Sequence, residues 1–213
     1  MSKTDYLDKL GNKEIHPEDL IIEVRQNLKM LPRIIDGVSS SNANIKFGCA
    51  KILRAISSEK PEKLYQEMDL FIELLDSPNN IIKWNAVDIV ANLTKVDKEN
   101  KFDEIFEKFY GMLSEKSMVT AAHVIDNSGK IARVKPHLTD KITDELLKVE
   151  NIPRTKECKN ILMGKTILAF GSYFEQIEDK DEVILFVKKR LKNSRNATKV
   201  KAEKFMKKYG KTR

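Results

Sequence analysis

Apolar residues recur along this chain three and four positions apart, and almost nowhere in strict alternation. Cys49, Ile52, Leu53 and Ile56 stand at i, i+3, i+4 and i+7, one face of a helix that turns about 100° per residue. The same spacing returns at Ala86, Ile89, Val90 and Leu93, at Ala121, Val124, Ile125 and Ser128, at Gly164, Ile167, Leu168 and Gly171, and at Ala202, Phe205, Met206 and Tyr209. Each set opens on a small residue, where two helices can approach closely, and the openings at 49, 86, 121, 164 and 202 lie 37, 35, 43 and 38 residues apart. A second apolar helix precedes each set, marked by Ile34-Ile35, Leu74-Leu75, Met112-Leu113, Leu146-Leu147 and Leu191. The pattern predicts an all-α chain built as an α-solenoid of about five antiparallel helix pairs. A single pair cannot bury its apolar face alone, so each leans on its neighbours.

Punctuation agrees with that reading. Pro61-Glu62 and Pro136-His137 open helices, and Asp181-Glu182 places acids in a first turn, where they favour the helix dipole. Pro32 falls inside the first helix of the first pair and is expected to kink it. We expect residues 1–17 to form a short N-terminal arm and 18–213 the repeat domain, closed by a basic capping repeat at 179–213.

At Glu73-Leu74-Leu75-Asp76-Ser77-Pro78, followed by Ile82-Lys83 and Ala86, the sequence resembles a HEAT repeat. That pattern is a Leu-Leu-x-Asp-like helix end, a short turn, then an apolar-basic pair three residues ahead of a small residue. Ile45-Lys46 and Cys49 match it one repeat earlier, whereas Ser117-Met118 and Asn160-Ile161 depart from it later. By periodicity the resemblance spans about Asp19 to Tyr209. It implies a right-handed HEAT- or armadillo-like solenoid whose second helices line a concave binding surface, and it implies a scaffold rather than an enzyme.

Charge sharpens the picture. From Lys188 to Arg213 there are 12 Lys or Arg and one acid, Glu203, so this end carries +11 of a chain whose net charge is +7. The body is mildly acidic and the end strongly basic. No apolar run approaches the ~18 residues that span a bilayer, and Met1-Ser2-Lys3-Thr4-Asp5-Tyr6 lacks a signal core. The two cysteines, Cys49 and Cys158, are far apart in sequence, which excludes a disulfide framework and points to a reducing, cytoplasmic setting.

Motifs with chemistry fare poorly. Gly164-Lys165-Thr166 ends like a phosphate-binding loop, but the first glycine of that motif is Lys159 here and no buried strand precedes it. His123 and Asp126, one turn apart, supply two ligand types where a metal site needs at least three. No cofactor, metal, membrane or small-molecule substrate is implied.

Two binding surfaces remain. Two places before each small residue, opposite the core face, stand Phe47, Trp84, Val119, Leu162 and Val200, apolar where polarity is expected. With Asp88, His123, Asn92 and Asn127 beside them they form a candidate protein-binding stripe of apolar centre and polar rim. Packing against the adjacent repeat is the alternative for the same column, and full burial of Phe47 and Trp84 would decide for it. Asn92 and Asn127 occupy one place in successive repeats, like the asparagines with which armadillo proteins hold a peptide backbone. The second surface is basic: Lys188, Lys189, Arg190, Lys192, Arg195, Lys199, Lys201, Lys204, Lys207 and Lys208 could contact nucleic acid or another polyanion. A solubilising end cap is the other use of such a helix. The sequence therefore points to a cytoplasmic, non-enzymatic adaptor that holds a protein or peptide partner, with a nucleic-acid-associated scaffold as the alternative.

Overall fold

The computed structural model describes residues 5–210, so residues 1–4 of the expected arm and 211–213 of the basic end lie outside the described residues. Among the described residues there is no strand. The chain divides into two compact units, Met1–Phe102 and Asp103–Arg213. The first contains α1 (Tyr6–Gly11), α2 (Pro17–Gln26), α3 (Leu31–Gly37), α4 (Ala43–Glu59), α5 (Met68–Glu73) and α6 (Asn80–Leu93). The sequence passes from one unit to the next within α7 (Lys101–Glu104). The second contains α8 (Phe106–Gly111), α9 (Met118–Val134), α10 (Thr139–Leu147), α11 (Lys156–Tyr173), α12 (Lys180–Arg190) and α13 (Asn196–Tyr209).

The expected helix pairs are α3 with α4, α5 with α6, α8 with α9, α10 with α11 and α12 with α13. First members are short, and α5, α8 and α10 tighten into 3-10 turns at Leu74–Asp76, Met112–Ser114 and Lys148–Asn151. Second members are long and form the spine of each unit. In the first unit α4 packs against both α2 and α6, and in the second α11 packs against both α9 and α13.

Four of the five long second helices begin where a short polar side chain takes the place of a missing backbone acceptor. Asn42 accepts from the amides of Asn44 and Ile45, Asn79 from those of Ile81 and Ile82, Ser117 from Thr120 and Thr155 from Cys158. Arg195 holds the cap position of α13 without such a bond. These five caps are 37, 38, 38 and 40 residues apart, a steadier period than that of the small residues.

Beyond the caps, the buried faces of α4, α6 and α9 follow the predicted spacing. Cys49, Ile52, Leu53 and Ile56 on α4 are fully buried, as are Val124, Ile125 and Ser128 on α9. Within each unit, side-chain bonds tie segments about one repeat apart. Asn92 donates to Ser57 at 3.0 Å, Tyr65 to Asp97 at 2.9 Å, and Thr198 to the Asn160 carbonyl at 2.7 Å. Asp97 also accepts from the amides of Lys101 and Phe102, both at 3.0 Å, and so starts α7. At Gly129 a β-carbon would meet the Ser172 hydroxyl at 1.9 Å, so α9 and α11 touch where only glycine leaves room.

Two local expectations change. Pro32 does not kink a helix interior: the chain breaks at Asn27, passes through a 3-10 turn at Leu28–Met30, and Pro32 sits in the first turn of α3, where its missing N–H costs nothing. The segment before Pro17 carries α1, which packs against α4 through buried Leu10 and Gly11.

One ion pair closes the base of α9. The Lys135 side chain is almost wholly buried and donates to Asp103 at 2.6 Å, and His137 bonds to the same carboxylate. Burial alone would raise the Asp103 carboxyl, but the bonds and charges of Lys135 and His137 outweigh it and hold the carboxyl below its usual range. A depressed folded-state value means that the pair stabilises fully above the unfolded value near ~4 and loses this contribution as pH falls through the lower folded value. Asp103→Asn removes the carboxylate charge that faces the buried Lys135 ammonium, so urea unfolding at pH 7 should show a loss of ~2 kcal/mol after allowing for solvent at the carboxylate. The gap to wild type should narrow below pH ~4. Equal stability at pH 7, or a gap that persists in acid, would contradict this account.

Candidate protein-binding surfaces

Counting from the caps resets the register of the apolar column. Five residues after each cap stand Phe47, Trp84, Ala122, Asn160 and Val200. Leu162 falls seven after its cap, the place of Cys49, Ala86, Val124 and Ala202, all of them buried. It is 1% exposed and leaves the stripe for the core. Val119 falls two after its cap, the place of Ile81, and both are open to solvent at 38% and 42%. Phe47, Trp84 and Val200 are half-buried, so none is sealed between helices.

The same slip misplaces Leu168. Sequence spacing set it on the buried face of α11, but Met163, Thr166, Ile167 and Phe170 form that face and Leu168 is 56% exposed. Ile81 is the surface residue that the sequence reading missed. Its signal was present, because Ile81 and Trp84 are three apart on one helical face.

The polar neighbours behave differently from the expected rim. Asp88 lies 3.5 Å from Arg54. Asn92 is buried and spends its amide on Ser57, while buried Asn127 donates to the His123 carbonyl of its own helix at 2.8 Å. The asparagine pair therefore braces the fold, because both amides turn inward instead of toward a bound backbone. His123 stays half-buried, and Asp126 one turn on pairs with Lys165. Gly164, Lys165 and Thr166 lie inside α11, with Thr166 fully buried. Burial pushes the Cys49 thiol up to about 12, which makes it a packing group rather than a nucleophile.

The basic end is partly neutralised from within. Arg190 is buried, bonds to Glu150 at 2.6 Å and to the Phe186 carbonyl at 2.9 Å, and lies 3.8 Å over the Phe186 ring. Lys189 reaches the same glutamate at 3.5 Å, Arg195 pairs with Glu157 at 2.8 Å, and Lys199 with Glu203 at 3.8 Å. Arg190 thus leaves the polyanion surface altogether, since its guanidinium is used in the core. Lys188, Lys192 and Lys207 point to solvent. Lys201, Lys204 and Lys208 instead border a groove of about 680 Å³ between α11 and α13, whose apolar walls include Ile167, Leu168, Val200 and Phe205.

No protein-family model matches the chain, and no curated protein matches it in sequence. Solved structures do. A designed armadillo repeat protein superposes with a TM-score of 0.57 over 95% of this chain and 90% of its own, at 15% identity. An engineered protein solved as a structural-genomics target gives 0.58 over 97% and 92%, at 12% identity. The fold is an armadillo/HEAT-like helical repeat. At these identities the likeness concerns the fold alone, and an armadillo-like fold does not name a ligand. Among the described residues, no helix is long and apolar enough to cross a membrane.

The revised register makes a direct prediction within the second unit. Leu162→Ala should cost ~2–4 kcal/mol in chemical denaturation, because it opens a cavity in the core. Val119→Ser, at an exposed site of the same armadillo-like stack, should stay within about 0.5 kcal/mol. Comparable losses in both variants would refute the cap-based register.

Proposed function

We propose that the protein is a non-enzymatic scaffold that holds a protein partner on the outward faces of its long second helices. One observation carries this reading: large apolar side chains remain open on helices that already have a complete buried face. Ile81 is exposed beside half-buried Trp84 on α6, and Phe47 is half-buried on α4. Leaving such groups in water forfeits their burial energy, roughly 1.5–3 kcal/mol for a large apolar side chain, and a partner would recover it. Aromatic anchors with charged neighbours, such as the Arg54–Asp88 pair, are the usual centre and rim of a protein interface. The armadillo-like fold supports the reading, because repeat stacks present long surfaces. Two free cysteines, one buried, accord with a cytoplasmic setting.

Affinity capture with the immobilised chain, read by mass spectrometry, tests the proposal. A partner held by wild type should be depleted ~10-fold or more by Ile81→Glu combined with Trp84→Ala, with helicity unchanged by circular dichroism. Undiminished capture by the folded double variant would sink the stripe.

A further inference from the structure

The groove between α11 and α13 differs from the groove between α10 and α12 in how its charge and its apolar area are combined. Leu168, 56% exposed, and Val200 form its open walls, and Phe205 and Tyr209 lie deeper. Gly171 on α11 carries no side chain to cover Phe205, whose ring would lie only 3.6 Å from a β-carbon there. Around this apolar trough stand Lys201, Lys204 and Lys208, and among the described residues no carboxylate lines it. The groove between α10 and α12 is the contrast, since Asp144, Glu150 and Glu182 line it beside Lys148 and Lys189. Lys189 meets an acid at Glu150 in that second groove, whereas Lys201, Lys204 and Lys208 stand in a row along α13 beside the apolar trough.

We propose that this groove is the docking site of an acidic amphipathic peptide, its apolar face laid between Leu168, Val200 and Phe205 and its carboxylates meeting Lys201, Lys204 and Lys208. The inference rests on the scaffold reading and names the partner class for one surface of it. Charge complementarity selects this occupant: three ammonium groups without a carboxylate favour an anionic ligand, and the exposed leucine asks for an apolar one. Nucleic acid would satisfy the lysines and leave Leu168 in water. Lys201 adds support, because burial, followed by the positive charges of Lys165 and Arg195, outweighs the opposing charge of Asp126 and holds its ammonium below the usual lysine range. An incoming carboxylate relieves that repulsion.

The test is fluorescence anisotropy on the full chain, with a labelled synthetic peptide of about four helical turns that carries Leu or Phe along one face and Glu elsewhere. The comparators are a shuffled peptide of the same composition without an apolar face, and a single-stranded oligodeoxynucleotide. The amphipathic peptide should bind at least ~10-fold tighter than both comparators, and Leu168→Glu or Val200→Glu should weaken it ~10-fold. Lys204→Glu with Lys208→Glu should weaken it and flatten its salt dependence. Leu185→Glu should leave binding unchanged, because Leu185 is equally exposed but lies on α12, outside this groove. Equal binding of the shuffled peptide or the oligonucleotide would overturn the inference, as would equal loss in Leu185→Glu, absence of binding, or self-association that Leu168→Glu dissolves. If a captured partner depends on Ile81 and Trp84 while the amphipathic peptide is ignored, the scaffold reading stands and the groove inference falls.

Discussion

A helix that must be buried along one face, and must also touch a like helix on each side, has little freedom left. That constraint governs both units. α4 gives one face to its own first helix and its flanks to α2 and α6, and α11 packs in the same way against α9, α13 and the 3-10 turn at Lys148–Asn151 that ends α10. Small or slim groups sit where the flanks meet: Gly129 against Ser172, and Gly164 against Thr198. The burial of these helices is therefore shared, and the loss of one core side chain loosens its neighbours as well as its own pair.

Polar groups follow the same geometry. The bonds that join successive pairs run between positions about one repeat apart, as in Ser57 with Asn92, Asp126 with Lys165 and Glu150 with Arg190. A buried amide or guanidinium needs partners, and in a stack the nearest available partner lies on the next helix. Residues that look like ligands in the sequence are therefore drawn into bracing. Asn92 and Arg190 are the clear cases, each internally satisfied and turned away from solvent.

What remains for binding is the part of each long helix that neither its pair nor its neighbours cover. In the first unit this part carries Ile81 with Trp84 and Phe47. In the second it carries Leu168 and Val200 with the lysines of α13. Both combine apolar area with charge, but of different kinds: an Arg54–Asp88 pair already balanced in one case, and an unbalanced row of ammonium groups in the other. Two surfaces of different chemistry fit the scaffold function proposed above.

Element type and repeat length were legible in the sequence, because 3.6-residue periodicity and the burial it enforces are local properties of a helix. The quartets on α4, α6 and α9 are buried as their spacing requires. Register in α11 was not legible. Gly164 resembles the opening of a core quartet, but the Thr155 cap starts the helix elsewhere and turns Met163 inward and Leu168 outward. The charge of the basic end was also plain from composition, whereas its division into spent and available cations depended on Glu150 and Glu157, about 40 residues upstream in the chain. Sequence alone determined that these helices exist and which residues are apolar enough to bury. Only tertiary structure decided which of them are covered, because coverage depends on a neighbour that local spacing does not specify.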